Sequence, residues 1–204
     1  LEAGEPATFA CWRRYLAQTP ADAIFILGDL FEVWVGDDAA REAGFEADCA
    51  ALLRTAGRTI CGERPVFFLH GNRDFLLGAD FAEQAGLTLL PDPTVLQWQD
   101  QRWLLSHGDA LCLDDVAYQQ FRRQVQNPAW QQASLQHPLA LRRQMARQIR
   151  QASEQRRDQG LGYADVDADA ARAWLLAAQS ETLIHGHTHM PADHDMGGGL
   201  RRIV

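Results

Sequence analysis

Apolar residues gather into short runs along this chain, and four of the runs stop abruptly at a polar cluster containing glycine. Ala23-Ile24-Phe25-Ile26-Leu27 leads into Gly28-Asp29, and Val66-Phe67-Phe68-Leu69 into His70-Gly71-Asn72-Arg73-Asp74. Trp103-Leu104-Leu105 leads into Ser106-His107-Gly108-Asp109, and Thr182-Leu183-Ile184 into His185-Gly186-His187-Thr188-His189. Short continuous apolar runs bounded by turn residues predict buried strands. Between them apolar positions recur at helical spacing, at Trp12 and Leu16, at Cys49, Leu52 and Leu53, and at Val166, Ala170 and Trp174. Asp165-Val166-Asp167 reads as the start of that last helix. Strand alternating with helix predicts a layered α/β fold, in which the carboxyl ends of strands carry the ligand site.

The 204 residues show no internal repeat and no linker-like stretch except Gly197-Gly198-Gly199, which points to one domain. With 47% apolar and 23% charged residues the chain is neither disordered nor a disulfide scaffold. It lacks the run of about 18 apolar residues that a membrane span needs. Leu1 to Tyr15 has no basic start followed by an apolar run, so no signal peptide is read there and a cytoplasmic location is expected. Cys11, Cys49, Cys61 and Cys112 form no C-x-x-C pair, which fits reduced thiols better than a zinc knuckle or redox dithiol.

The net charge of -8 argues against nucleic acid as a partner. Its distribution is uneven. All 19 basic residues are arginine, and between Tyr118 and Gly160 eight of them face only Glu154 and Asp158, a local +6 that leaves -14 on the rest. Leu141, Met145 and Ile149 recur every four residues with Arg142, Arg143, Arg147 and Arg150 around them, which predicts an amphipathic basic helix. Such a helix either packs on the core with a solvated basic face or offers that face to an anionic ligand or membrane surface.

The strand-end clusters place Asp29, Asn72, His107, His187 and His189 together as oxygen and imidazole donors suited to manganese, iron or zinc. Any one histidine here could equally be a hydrogen-bonded loop or core residue. Recurrence at four strand ends is what favours metal binding. Asp37, Asp38, Asp109 and Asp114 either orient such ligands or serve as turn and helix-cap residues. Trp34, Trp98, Trp103 and Trp174 read as core or interface aromatics.

Gly28-Asp29, Gly71-Asn72-Arg73-Asp74, His107-Gly108-Asp109 and Gly186-His187-Thr188-His189 resemble, in order and spacing, the metal blocks of the calcineurin-like metallophosphoesterases. Wider stretches are similar to the UDP-2,3-diacylglucosamine pyrophosphohydrolases of lipid A biosynthesis. These are Gly28-Asp29-Leu30-Phe31-Glu32 with Trp34 and Gly36-Asp37-Asp38, then Asp114-Asp115, Tyr118-Gln119, Phe121-Arg122 and the run from Trp130 to Ser153. The resemblance implies a four-layer α/β sandwich, two sheets flanked by helices, with a helical cap at about 115 to 165. It further implies two divalent ions, manganese expected. Asp29 would bridge them, Asn72, His107 and His187 would complete one, and His189 would serve the other. The family's first block, D-x-H, would end just before Leu1, and the family continues past Val204, so the chain is expected to be a piece of a longer protein.

The implied reaction is hydrolysis of UDP-2,3-diacylglucosamine to UMP and 2,3-diacylglucosamine 1-phosphate on the cytoplasmic face of the inner membrane, with no protein partner. Substrate roles carry over to Asn72, Arg73, Asp115, Tyr118, Arg150, Ser153 and His187. The family's cap lysines would fall near Arg157, which keeps a charge, and Gly160, which does not. Arg73 stands where the wider superfamily has a proton-donating histidine. Attack at the phosphorus nearer the nucleoside expels a phosphate monoester that leaves as an anion, and a forked, permanently charged guanidinium neutralises it without giving up a proton. The plainer reading is that Arg73 pairs with Asp74. Two other functions stay open, a phosphoesterase acting on soluble nucleotides or phosphodiesters, and a non-catalytic scaffold that lost its first metal.

Overall fold

The computed structural model describes residues 1–59, 62–158 and 164–204, the side chains at 59 and 152–158 excepted; Cys61 lies outside them. The chain is of the α/β class and forms two compact units, residues 1–90 with 132–146 and residues 91–131 with 147–204.

In the first unit, helix α1 (Pro6–Gln18) opens with proline in its first turn, where the missing N–H costs nothing. Strand β1 (Ile24–Ile26) follows, then α2 (Phe45–Ala56), which carries Glu46 and Asp48 near its start and Arg54 near its end, as the helix dipole favours. A short hairpin of β2 (Arg58–Thr59) and β3 (Gly62–Glu63) leads to β4 (Val66–Phe68), α3 (Ala79–Ala85) and β5 (Leu87–Leu89). Strands β1, β4 and β5 form a parallel sheet in that order, with Ile24 opposite Val66 and Val66 opposite Leu87. Leu16, Leu53, Phe68 and Phe81 are fully buried here, each worth roughly 1.5–3 kcal/mol of burial. The buried Arg64 guanidinium donates to the carbonyls of Leu16, Thr19 and Ala56, satisfying the open ends of α1 and α2.

In the second unit, β6 (Thr94–Trp98) and β7 (Gln101–Ser106) make an antiparallel hairpin. Three helices follow, α4 (Val116–Val125), α5 (Pro128–Leu135) and α6 (Leu139–Asp158), and the division between the two units falls within α5 and again within α6. They lie within the stretch expected to be a helical cap at about 115 to 165, of which 159–163 fall outside the described residues. Helix α7 (Ala168–Ala177) starts where the sequence placed it, with the Asp167 carboxylate accepting from the Ala170 amide at 2.7 Å. Strands β8 (Thr182–His185), β9 (Asp193–Gly197) and β10 (Leu200–Ile203) complete a five-stranded sheet of order β6-β7-β8-β10-β9. Gly197 to Gly199 turn the β9–β10 hairpin and are not a linker. Leu104, Leu111, Ala171, Leu175 and Leu183 form the core of this unit.

The four predicted strands are β1, β4, β7 and β8. Trp98, read as a core or interface aromatic, is exposed at the end of an edge strand and so lies outside the core. Cys49 and Cys112 are buried free thiols pushed up to about 12 by desolvation, so they stay protonated and unreactive. Among the described residues no helix is long and apolar enough to cross a membrane.

Candidate functional site

Each unit holds its own group of the residues singled out by the sequence. In the first unit the turn after β1 carries Asp29 at φ 53°, a left-handed conformation uncommon for a residue with a side chain. What fixes it is Asp74, fully buried at the end of the Gly71-Asn72-Arg73-Asp74 turn after β4. Its carboxylate accepts from the amides of Leu30 and Gly71, each at 2.8 Å, and of Asp29 at 3.2 Å. The two loops are thereby sewn together. The Asp29 carboxylate accepts from the Arg73 amide at 2.9 Å, and a Cβ at Gly71 would collide with it, so only glycine allows this close approach.

Arg73 turns its guanidinium toward acids other than Asp74: Nε lies 3.7 Å from Asp29 Oδ2 and Nη1 pairs with Glu32. Phe31 and Trp34 of the same run pack with Phe81 beneath the loop, with ring centroids 4.4 to 5.6 Å apart. Asp37 accepts from the Trp34 indole and from the amides of Gly78 and Phe81, which gives it the helix-cap role at the start of α3. Asp38 pairs with both terminal guanidinium nitrogens of Arg142 on α6, which holds its carboxyl below the usual range. Arg142 also donates to the Val35 carbonyl. It is therefore only 5% exposed, while Leu141 and Ile149 are 40% and 47% exposed. The amphipathic pattern expected for this helix is inverted at these positions, because a bidentate ion pair with a buried carbonyl beside it draws the arginine inward.

In the second unit His107, at the end of β7, and His187, just past β8, are both buried, with ring centroids 5.0 Å apart at an interplanar angle of 67°. Desolvation, with His107 nearby, pushes His187 down to about 3, so its imidazole is neutral at neutral pH, the form a metal takes. His187 and His189 sit at φ 65° and 54°; with Asp29 they are three of the five non-glycine residues at positive φ among the described residues. His189 is exposed. Asp115 caps α4, accepting from the Tyr118 amide at 3.0 Å. Arg150 is half-buried on α6. The side chains of Ser153 and Arg157, and all of Gly160, lie outside the described residues.

Several contributors carried no sequence signal strong enough to assign them. Asp92 accepts from the His107 amide at 3.1 Å, and burial raises its pKa. Only a strand-bounding Asp-Pro marks it in the sequence. Glu32 is visible in the Gly28 to Glu32 run, but its partner Arg73 lies 41 residues away. The donor chemistry in both units, carboxylate and amide oxygen in one and imidazole in the other, fits a divalent ion, and the glycine-shaped cradle around the Asp29 carboxylate adds to that fit.

The model of the calcineurin-like phosphoesterase family matches residues 3–191. A UDP-2,3-diacylglucosamine hydrolase from Chromobacterium violaceum is 49% identical over 199 residues, covering 97% of this chain and 79% of the relative. Proteins of the same name from Stenotrophomonas maltophilia and Aromatoleum aromaticum are 42% and 46% identical, over 100% and 93% of this chain and 86% and 76% of their own lengths. With the four strand-end blocks in place and a match over nearly its whole length, the chain belongs to the calcineurin-like phosphoesterase family.

Proposed function

We propose that the chain hydrolyses the pyrophosphate of UDP-2,3-diacylglucosamine, releasing UMP and 2,3-diacylglucosamine 1-phosphate in lipid A biosynthesis. The observation that carries this reading is the Gly71-Asn72-Arg73-Asp74 turn. Its arginine is held by Asp29 and Glu32 where the wider superfamily has histidine, in a chain 41 to 49% identical to hydrolases of that name. Asp29, Asn72, His107, His187 and His189 are the ligands, for two divalent ions, with manganese expected. Such ions, when bound, lower the pKa of water and neutralise phosphate oxygens.

The chain's own residues do the rest. Arg73 receives the negative charge of the departing phosphate monoester, and the permanent charge of a guanidinium makes a proton donor unnecessary there. Asn72, Asp115, Tyr118, Arg150 and Ser153 hold the substrate, together with Arg73 and His187. Leu141 with Arg143, and Ile149 with Arg147, are exposed on α6 and suit acyl chains and an anionic membrane surface, which supports a location on the cytoplasmic face of the inner membrane.

The test is UMP release from UDP-2,3-diacylglucosamine with manganese present and then chelated, beside Asp29→Ala. Release that needs manganese, exceeds hydrolysis of a water-soluble phosphodiester and vanishes in a still-folded Asp29→Ala supports the reading. Equal hydrolysis of the soluble diester points to the nucleotide phosphoesterase. No release, with one manganese or none bound per chain, points to the scaffold.

A further inference from the structure

Asp109, the last residue of the His107-Gly108-Asp109 cluster, is 2% exposed and gathers one face of α4. Its Oδ2 accepts from the Tyr118 hydroxyl at 2.6 Å and from Arg122 Nε at 2.8 Å. Its main-chain carbonyl accepts from the Gln119 side-chain amide at 2.7 Å, and that amide also donates to the Cys112 carbonyl at 3.1 Å. Three residues of one helix, at spacings of one and four, thus converge on one buried residue. Bonds to an ionised carboxylate are the strong kind, and a buried carboxylate is retained only when it is satisfied in this way.

The consequence is felt at the far side of Tyr118. Tyr118 is 9% exposed, and its ring centroid lies 5.4 Å from that of His187, with the rings tilted by 34°. His187 therefore has Tyr118 and His107 as its aromatic neighbours. Its backbone is in the left-handed region, uncommon for a residue with a side chain. We infer that Asp109 is a positioning residue for the His187 imidazole, acting through Tyr118. The carboxylate fixes the phenol and the phenol fixes the ring, so the geometry of His187 is set from α4. This rests on the reading of His187 as a metal ligand.

The test uses the full chain and two variants, Asp109→Asn, which keeps the shape but loses the charge, and Tyr118→Phe, which keeps the ring and loses only the hydroxyl. Manganese affinity is measured by titration calorimetry, the His187 ring nitrogen shifts by NMR of the metal-free protein, and the melting temperature alongside. Both variants should bind manganese about 10- to 100-fold more weakly. Both should also move the His187 ring signals while those of His137 stay put. A lowered melting temperature with unchanged affinity and unchanged His187 signals overturns the inference, because Asp109 would then only dock the helix. Should Asp109→Asn fail to fold, Tyr118→Phe alone decides between these outcomes. If the unaltered chain binds no manganese, the ligand reading falls, and the ring shifts still decide whether Asp109 positions His187.

Discussion

The loops after β1 and β8 hold their donors by opposite means. Asp29 is fixed by hydrogen bonds: its own amide and those of its neighbours run to the buried Asp74 carboxylate, and its side chain takes the Arg73 amide. His187 is fixed by rings, between His107 and Tyr118, in a pocket dry enough to keep the imidazole neutral. A loop of the first kind fails when its anchoring carboxylate is removed. The second kind fails when a proton is forced onto the ring, because burial penalises the charged form. Two loops with the same proposed task should therefore have different weaknesses.

The largest expected effect strikes the first loop. Asp74→Ala leaves the buried amides of Leu30 and Gly71 and the part-buried amide of Asp29 without their acceptor and should lower stability by about 3–5 kcal/mol in urea unfolding. A loss below about 1 kcal/mol would mean the amides find other partners and the loop is not built on Asp74.

Acid should find the second loop next. His187 ionises near 6.5 when unfolded and near 3 when folded, so between these values the unfolded chain binds the extra proton and folding stability falls as pH falls. In metal-free protein the melting temperature should begin to drop just below pH 6.5, and His187→Asn should reduce that drop, leaving the part due to the buried His185, whose pKa desolvation also lowers. Asp38, with a folded pKa lowered by Arg142, contributes stability that is complete above the ordinary carboxylate range and lost only in stronger acid. Asp38→Asn should accordingly leave the curve between pH 6.5 and 4.5 unchanged. A drop of equal size in His187→Asn would remove the imidazole as its source.

The smallest effects belong to ion pairs that anchor neither loop. Arg41–Asp80 in the first unit and Arg201–Asp193 in the second are well exposed, and water screens both. Arg41→Ala and Arg201→Ala should leave the melting temperature unchanged within error, whereas a clear fall in either would show that surface charge contributes to one unit more than the other.

Much of the fold was legible because apolar runs report strands directly. The strands β1, β4, β7 and β8 each end where a glycine-containing cluster begins, and the cap of α7 is written in Asp167. Strands β9 and β10 were not legible. Asp193-His194-Asp195-Met196-Gly197 has no apolar run, and it forms a strand only because β10 is there to pair with it. The candidate donors were readable for the same reason as the strands, since they occupy the turns. Their supports were not. Asp74 reaches Leu30 across 44 residues, and Arg142 reaches Asp38 across 104.

By itself, then, the sequence determined the strands β1, β4, β7 and β8, the start of α7 and the residues that stand at those strand ends, because burial periodicity and turn chemistry act over a few neighbouring positions. Only the tertiary structure decided that Asp74 would hold amides while Arg73 paired with Asp29 and Glu32, that Arg142 would turn inward and leave Leu141 exposed, and that Asp109 would collect Tyr118 and Arg122. Each of those outcomes depends on which partner packing brings beside a charged group, and local pattern does not encode a partner distant in the chain.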